Sequence, residues 1–215
     1  MRIIAAADIH GVCAVYEWLV EHTRNGADAL VLAGDLLASD FKQQQRIEAK
    51  RIIRLLKTVS VPVLYVMGND DNVGLNYEDT LIKPIHGRRF PLAGLNFIGY
   101  QYSPPFVGNE FVKTDEEISK DLELLRPLVD ENTVFVTHSP AWGHLDLCFE
   151  NHAGSRAIGA LLEERAVLAH IHGHIHEAFG RDGNHFNVAS AGVCRAMLIE
   201  MPSLVHRVLT NSRDQ

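Results

Sequence analysis

Three histidines, His172, His174 and His176, alternate around Gly173 in the stretch LAHIHGHIHEA. Four other short polar clusters accompany it: Asp8-Ile9-His10-Gly11, Gly34-Asp35, Gly68-Asn69-Asp70-Asp71 and Thr137-His138-Ser139. Imidazole, carboxylate and carboxamide oxygen are all metal ligands, and so many polar groups beside apolar runs are costly to pack unless something satisfies them. Asp8, His10, Asp35, Asn69, His138, His174 and His176 are too many donors for one tetrahedral zinc. They suit two adjacent ions that share a bridging carboxylate. Two divalent ions supply about +4, the two aspartates and a bridging hydroxide about −3, and neutral histidines nothing, so about one positive charge faces an incoming anion such as phosphate. Taken singly, a DxH or a GD pair is often turn chemistry; the ordered series carries the inference.

These clusters need elements that bring them to one place. Short runs rich in Val, Ile and Leu alternate with helix-period segments, as in layered α/β folds. Arg2–Asp8, Ala29–Leu36, Val61–Met67, Leu95–Tyr100, Thr133–Thr137 and Val167–His172 read as strands buried on both faces. In such a sheet the carboxyl ends of parallel strands open into one crevice, and the five clusters sit at those ends. Glycines beside them, Gly11, Gly34, Gly68 and Gly173, allow tight turns and leave room for a ligand.

The spacing predicts an inward helix face at Val15, Trp18, Leu19 and His22, and another at Ile52, Leu55, Leu56 and Val59. The second belongs to a basic stretch from Lys42 to Lys57, read as the solvated side of an amphipathic helix. Thr114 and Glu117 predict a capping box, followed by Ile118, Leu122 and Leu125 on the apolar face and a stop at Pro127. A fourth helix is expected after Gly154 and Ser155, with Ile158, Leu161 and Leu162 inward. His185–Ala191 and Arg195–Met201 read as consecutive strands with no helix between them, an antiparallel addition that makes the sheet mixed. Asn72–Pro91 and Ser103–Lys113, the latter with Pro104, Pro105 and Gly108, are expected to be loops over the site.

Composition sets bounds. At 215 residues and 47% hydrophobic content, one domain over 1–215 is expected. The start MRIIAAAD lacks a leader pattern and no apolar run reaches the roughly 18 residues that span a bilayer, so a cytoplasmic protein without a membrane partner is expected. The net charge of −7 argues against nucleic acid as a partner. Homo-oligomerisation stays open. Cys13, Cys148 and Cys194 have no metal or disulfide spacing and are expected to be small buried residues or spectators.

The order DIH, GD, GND, TH, GHIH resembles the calcineurin-like metallophosphoesterases, and within them small, cyclic-nucleotide-phosphodiesterase-like members. The resemblance implies a four-layered α/β/β/α sandwich with mixed sheets and two divalent ions, manganese first, iron or zinc as alternatives. It implies that Asp8, His10 and His176 hold one ion, that Asn69, His138 and His174 hold the other, and that Asp35 bridges them. Asp35, Asn69 and His138 are thereby the expected catalytic residues, and His172 is expected to pack or hydrogen-bond behind the site. The implied activity is hydrolysis of a small phosphoester by a metal-bridging hydroxide. Many members carry GNH where this chain has Asp70 and Asp71, so the usual histidine acid is missing. Without proton donation a poor leaving group typically loses about a hundredfold, which favours phosphodiesters or activated esters. Asp70 donates only if its pKa is raised, and two cations would lower it. His144 in SPAWGHLD is a further candidate, so Asp70 and His144 are the expected substrate contacts. A phosphomonoesterase, a nucleotide pyrophosphatase and a non-catalytic scaffold are the alternatives on the same residues.

Overall fold

The computed structural model describes residues 1–38, 41–106 and 110–211. In chain order the elements are β1 (Arg2–Ala6), α1 (Cys13–Thr23), β2 (Ala29–Ala33), α2 (Lys42–Leu56), β3 (Val63–Val66), β4 (Ile82–Pro84), β5 (Arg89–Leu92), β6 (Leu95–Tyr100) and α3 (Asp115–Leu125). There follow β7 (Thr133–Thr137), β8 (Leu147–Cys148), β9 (Asn151–His152), α4 (Arg156–Glu164), β10 (Ala169–His172), β11 (Gly180–Asp182), β12 (His185–Asn187), β13 (Arg195–Glu200) and β14 (Val205–Thr210).

Two six-stranded mixed sheets result, ordered β14-β13-β1-β2-β3-β4 and β11-β12-β10-β7-β6-β5. They face each other through one apolar layer, in which Ile3, Ala5, Val31, Leu64 and Val66 meet Phe97, Val134, Val136, Ile171 and Phe186. The alternate side chains of the first sheet, Ile4, Ala6, Leu30 and Leu32, pack under α1 and α2 with Tyr16, Leu19, Ile52 and Leu56. Those of the second, Ile98, Tyr100 and Phe135, pack with Ile118, Leu122, Ile158 and Leu161 of α3 and α4. Strands covered on both faces must be apolar on both, which is why they read as continuous hydrophobic runs. The result is the expected four-layered α/β/β/α sandwich.

Local signals hold where they have a mechanism. Thr114 and Glu117 form the reciprocal capping box, α3 passes into a single 3₁₀ turn containing Pro127, and Ser155 accepts from the N–H of Ile158 to start α4. Elsewhere the structure corrects the reading. Strands β1, β2 and β3 stop before the polar clusters, because Asp8 and Asp35 turn into the left-handed region at φ 53° and 51°. In α1 the inward face is Val15, Tyr16, Leu19, Val20 and Thr23, with Trp18 and His22 stacked on the rim. The inward face of α2 adds Gln45 and Ala49 to the expected Ile52 and Leu56, while Leu55 packs at the edge of the same core and Val59, just past the end of the helix, is buried in it. Segment 72–91 contains β4 and most of β5 rather than only loop, and residues 107–109 of the second unassigned segment, Gly108 among them, lie outside the described residues. All three cysteines are free and half-exposed, not buried.

The largest correction concerns the last strands. β12 runs parallel to β10 in the second sheet, whereas β13 runs antiparallel to β1 in the first. The chain crosses between sheets through Val188–Ser190, which pairs with Ala7 by Ala7 N to Val188 O (3.0 Å) and Ser190 N to Ala7 O (2.7 Å). That crossing stitches the two sheets together beside Asp8. Among the described residues no helix is long and apolar enough to cross a membrane.

The outer face of the second sheet buries imidazoles as well as apolar groups. His170 meets the Thr137 hydroxyl at 2.8 Å and His185 Nδ1 at 3.0 Å, and His172 stacks on it at 4.9 Å. Burial pushes His170 well below the ordinary imidazole range and His185 to about 4. An unfolded chain takes up these protons near pH 6.5, so the stability the neutral rings contribute is intact above about that pH and declines as pH falls toward 4. His185→Gln should make the urea midpoint lose less between about pH 6.5 and 4.5 than it does in the unsubstituted protein; a pH profile unchanged by the substitution would contradict this.

Candidate metal centre

The residues after β1, β2, β3, β7 and β10 converge at one edge of the sandwich, where parallel strands of both sheets end. Four of the expected ligands sit on left-handed backbone, Asp8 (φ 53°), His10 (49°), Asp35 (51°) and His174 (75°). Such residues cost on the order of 1–3 kcal/mol each and persist only where surrounding contacts over-determine them. Those contacts are visible. The Asp8 carboxylate accepts from His174 N–H at 3.0 Å, Asp35 Oδ1 accepts from Asp70 N–H at 2.9 Å, and His10 N–H donates to Asp35 O at 3.0 Å. Glycine is required where these turns touch: a Cβ on Gly173 would lie 2.2 Å from Asp8 Oδ2, and one on Gly68 2.3 Å from Asp35 Oδ1.

All seven expected ligands are brought together. Donor atoms of Asp8, His10 and His176 lie within 4.8 Å of one another, as do those of Asp8, Asp35 and His138, and those of His10, Asp35 and Asp70. His10 Nε2 and His176 Nε2 are 3.3 Å apart, and His176 Nε2 is 3.3 Å from Asp8 Oδ1. On the other side His138 Nε2 is 2.9 Å from Asn69 Oδ1 and 3.3 Å from Asp35 Oδ2, and the His138 and His174 rings are 5.1 Å apart.

These residues fit a cation. His174 Nε2 is buried and has no hydrogen-bond partner, and burial lowers its ring to about 4, so it offers a lone pair. His138 Nδ1 lies 3.0 Å from Ala33 O; donating there, it turns the Nε2 lone pair toward the centre. Asp8 and Asp35 are buried carboxylates that need positive charge nearby. Burial alone would raise Asp35 and lower His138, but each overrides it for the other: the His138 charge and hydrogen bond hold Asp35 low, and Asp35 holds His138 high. The carboxylates demand positive charge, which His138 and His176 supply from the protein itself.

Three residues that sequence reading missed hold the tips in place. Asp71, fully buried, accepts from the N–H groups of Leu36 (2.9 Å), Leu37 (2.8 Å) and Gly68 (2.9 Å), tying the turn after β2 to the turn after β3. Burial and the Asp35 charge push its carboxyl up to about 8. Gln45 accepts from Asn72 and Val73 N–H and donates to Asp70 O. It lies on the stripe Gln45, Ala49, Ile52, Leu56, a spacing that marks it as inward-facing. Arg195 donates to Ala189 O (2.7 Å) and His176 O (3.3 Å), with no sequence signal to announce it.

The two expected substrate contacts part company. Asp70 lines the cavity over the cluster, about 200 Å³, with Asp35, Asn69, Phe106, His174 and His176. Burial and the Asp35 charge raise its carboxyl above the ordinary range, opposite to what two cations would do. His144 is not brought there: it stacks on His185 at 3.9 Å and meets Asp182 at 2.7 Å, on the outer face of the second sheet. His172 lies behind the site, fully buried, with Nε2 unpartnered.

Residues 1–178 match the family model for calcineurin-like phosphoesterases. The UPF0046 protein K07C11.7 of Caenorhabditis elegans is 28% identical over 204 residues, covering 84% of this chain and 65% of that protein, so the chain spans just under two thirds of that relative. Among solved structures, TT1561 of Thermus thermophilus aligns with TM-score 0.72 at 15% identity over 97% of this chain and 98% of that one. A dimetal phosphatase from Danio rerio, LOC 393393, aligns with TM-score 0.59 at 14% identity over 99% of both chains. At these identities the structures show a shared fold.

Asp71→Ala would leave three buried N–H groups without an acceptor, each worth about 1–3 kcal/mol. Urea unfolding should show a loss of about 3 kcal/mol or more, with Asp71→Asn recovering part of it; a loss under about 1 kcal/mol would remove the clamp from the account.

Proposed function

Because the chain belongs to the calcineurin-like phosphoesterase family, we propose that it hydrolyses small phosphodiesters, in preference to monoesters, at a centre of two divalent ions. The observation that carries the dinuclear reading is Asp35, whose donor oxygens join Asp8 and His138 in one group and His10 and Asp70 in another. A carboxylate shared by two ions needs that position. Asp8, His10 and His176 would hold one ion, Asn69, His138 and His174 the other, and Asp35 both. Four imidazoles, two carboxylates and a carboxamide, with no thiolate, fit manganese, iron or zinc, and the family resemblance puts manganese first.

Bound there, the ions supply Lewis acidity to phosphoryl oxygens and lower the pKa of water. The chain's own residues do the rest. Asp8 and Asp35 fix the charge of the centre from below, each held by a backbone N–H. His138 keeps one lone pair forward through its bond to Ala33. His10, Asp70 and His176, half-exposed, form the side open to substrate. Asp70 occupies the place of the family's histidine acid, and cations beside it keep it ionised and unable to donate. The leaving oxygen therefore departs without a proton from that position, which costs an activated ester or aryl diester little and an alkyl monoester about a hundredfold.

The test is hydrolysis of bis-(p-nitrophenyl) phosphate and of ethyl phosphate, an alkyl monoester, by protein stripped with chelator and resupplied with manganese. Activity should return with the metal and favour the diester, and Asp35→Asn should lower kcat/KM by about a hundredfold or more while the fold persists. Preference for the monoester would overturn the substrate reading, and no activity with two ions bound would overturn the enzyme reading.

A further inference from the structure

A second cavity, about 530 Å³, adjoins the one over the cluster, and Phe106 and Cys148 line both. The hairpin β8–β9 forms its wall, carrying Cys148 into the shared boundary. Its other walls are flat. The Trp142 ring faces the His152 ring at 4.8 Å, and the Arg156 guanidinium lies 3.5 Å from the Trp142 centroid. His152 is locked in that pose by Nδ1, 2.7 Å from the buried Asp146 carboxylate, which also accepts from Gly143 and Gly154 N–H. Two apolar rings stand uncovered at the same cavity, Phe149 at 95% exposure and Phe106 at 51%. Phe106 meets the His174 ring edge-on at 4.9 Å, so the aromatic surface reaches the metal cluster itself.

We propose that this cavity seats a planar aromatic substituent of the phosphoester, with the phosphorus at the Asp–His cluster. The inference rests on the phosphoesterase reading above and names the substrate class. The exposed rings of Phe106 and Phe149 gain by stacking on a flat π-system beside the positioned Trp142 and His152, while a small alkyl group leaves them in water. A pocket of this size mostly walled by apolar and aromatic groups is the usual form of a small-molecule site. Arg156 and Asn151, at the same cavity, offer hydrogen bonds to heteroatoms of the ring.

Non-hydrolysable phosphonates test this, because they carry the same headgroup and differ only in the substituent. Methyl-, cyclohexyl- and phenylphosphonate are titrated onto manganese-loaded protein and followed by phosphorus NMR line broadening, which reports weak binding close to the ions. Phenylphosphonate should bind about tenfold tighter than methylphosphonate, and more tightly than cyclohexylphosphonate. Phe149→Ala, at an exposed position that does not put folding at stake, should cut the phenyl-over-methyl preference to about threefold or less and leave methylphosphonate within about twofold. Trp142→Leu should do the same by a second route. Equal binding of phenyl- and methylphosphonate, or a preference that survives both variants, overturns the proposal, and cyclohexyl matching phenyl overturns its aromatic character. If methylphosphonate itself fails to bind the loaded protein, the phosphoesterase reading falls first and this one with it.

Discussion

Two buried carboxylates, Asp8 and Asp35, set the terms for the rest of the molecule. Each lies at the end of a strand whose neighbours on both faces are apolar, where an ionised group is expensive unless paired. Backbone N–H groups of His174 and Asp70 partly answer them, and the mutual hold of Asp35 and His138 answers more. The remaining demand for positive charge draws in donors that would otherwise be orphaned, His174 Nε2 first among them. Two glycines without a left-handed backbone, Gly68 and Gly173, leave room for these carboxylates and for their neighbours, the Asp35 backbone and the His138 ring at Gly68 and the Ala7 side chain at Gly173.

Holding that charge requires a frame, which explains residues with no ligand role. Asp71 joins two turns through three N–H groups, Gln45 holds the loop after them, and the Val188–Ser190 crossing pins Ala7 next to Asp8. The left-handed backbone at four candidate ligand positions is tolerated because these contacts leave it no alternative. The centre thus belongs to both sheets at once, and neither sheet could form it alone.

Much of this was legible in the sequence, for physical reasons. Strands covered on both faces announce themselves as unbroken apolar runs, and a polar cluster at the end of each can only lie at the sheet edge. Thr114 and Glu117 signalled a helix start because a capping box satisfies specific N–H groups. Strand pairing was not legible: β12 and β13 follow each other in sequence yet join different sheets, since nothing local says which edge a strand will find. His144 was an expected substrate contact from its nearness to His138 in sequence, and three-dimensional packing sends it to His185 instead. The aromatic cavity was invisible because Trp142, Phe149 and His152 follow no periodic spacing and Phe106 joins them from a distant segment.

The central claim is that one carboxylate joins two cations at the meeting of the sheets. Diffraction from manganese-soaked crystals on either side of the manganese absorption edge tests it most directly. Two anomalous peaks are expected, one among Asp8, His10 and His176, the other among Asn69, His138 and His174, with Asp35 between them. A single peak at saturating manganese, or peaks elsewhere on the protein, would contradict it.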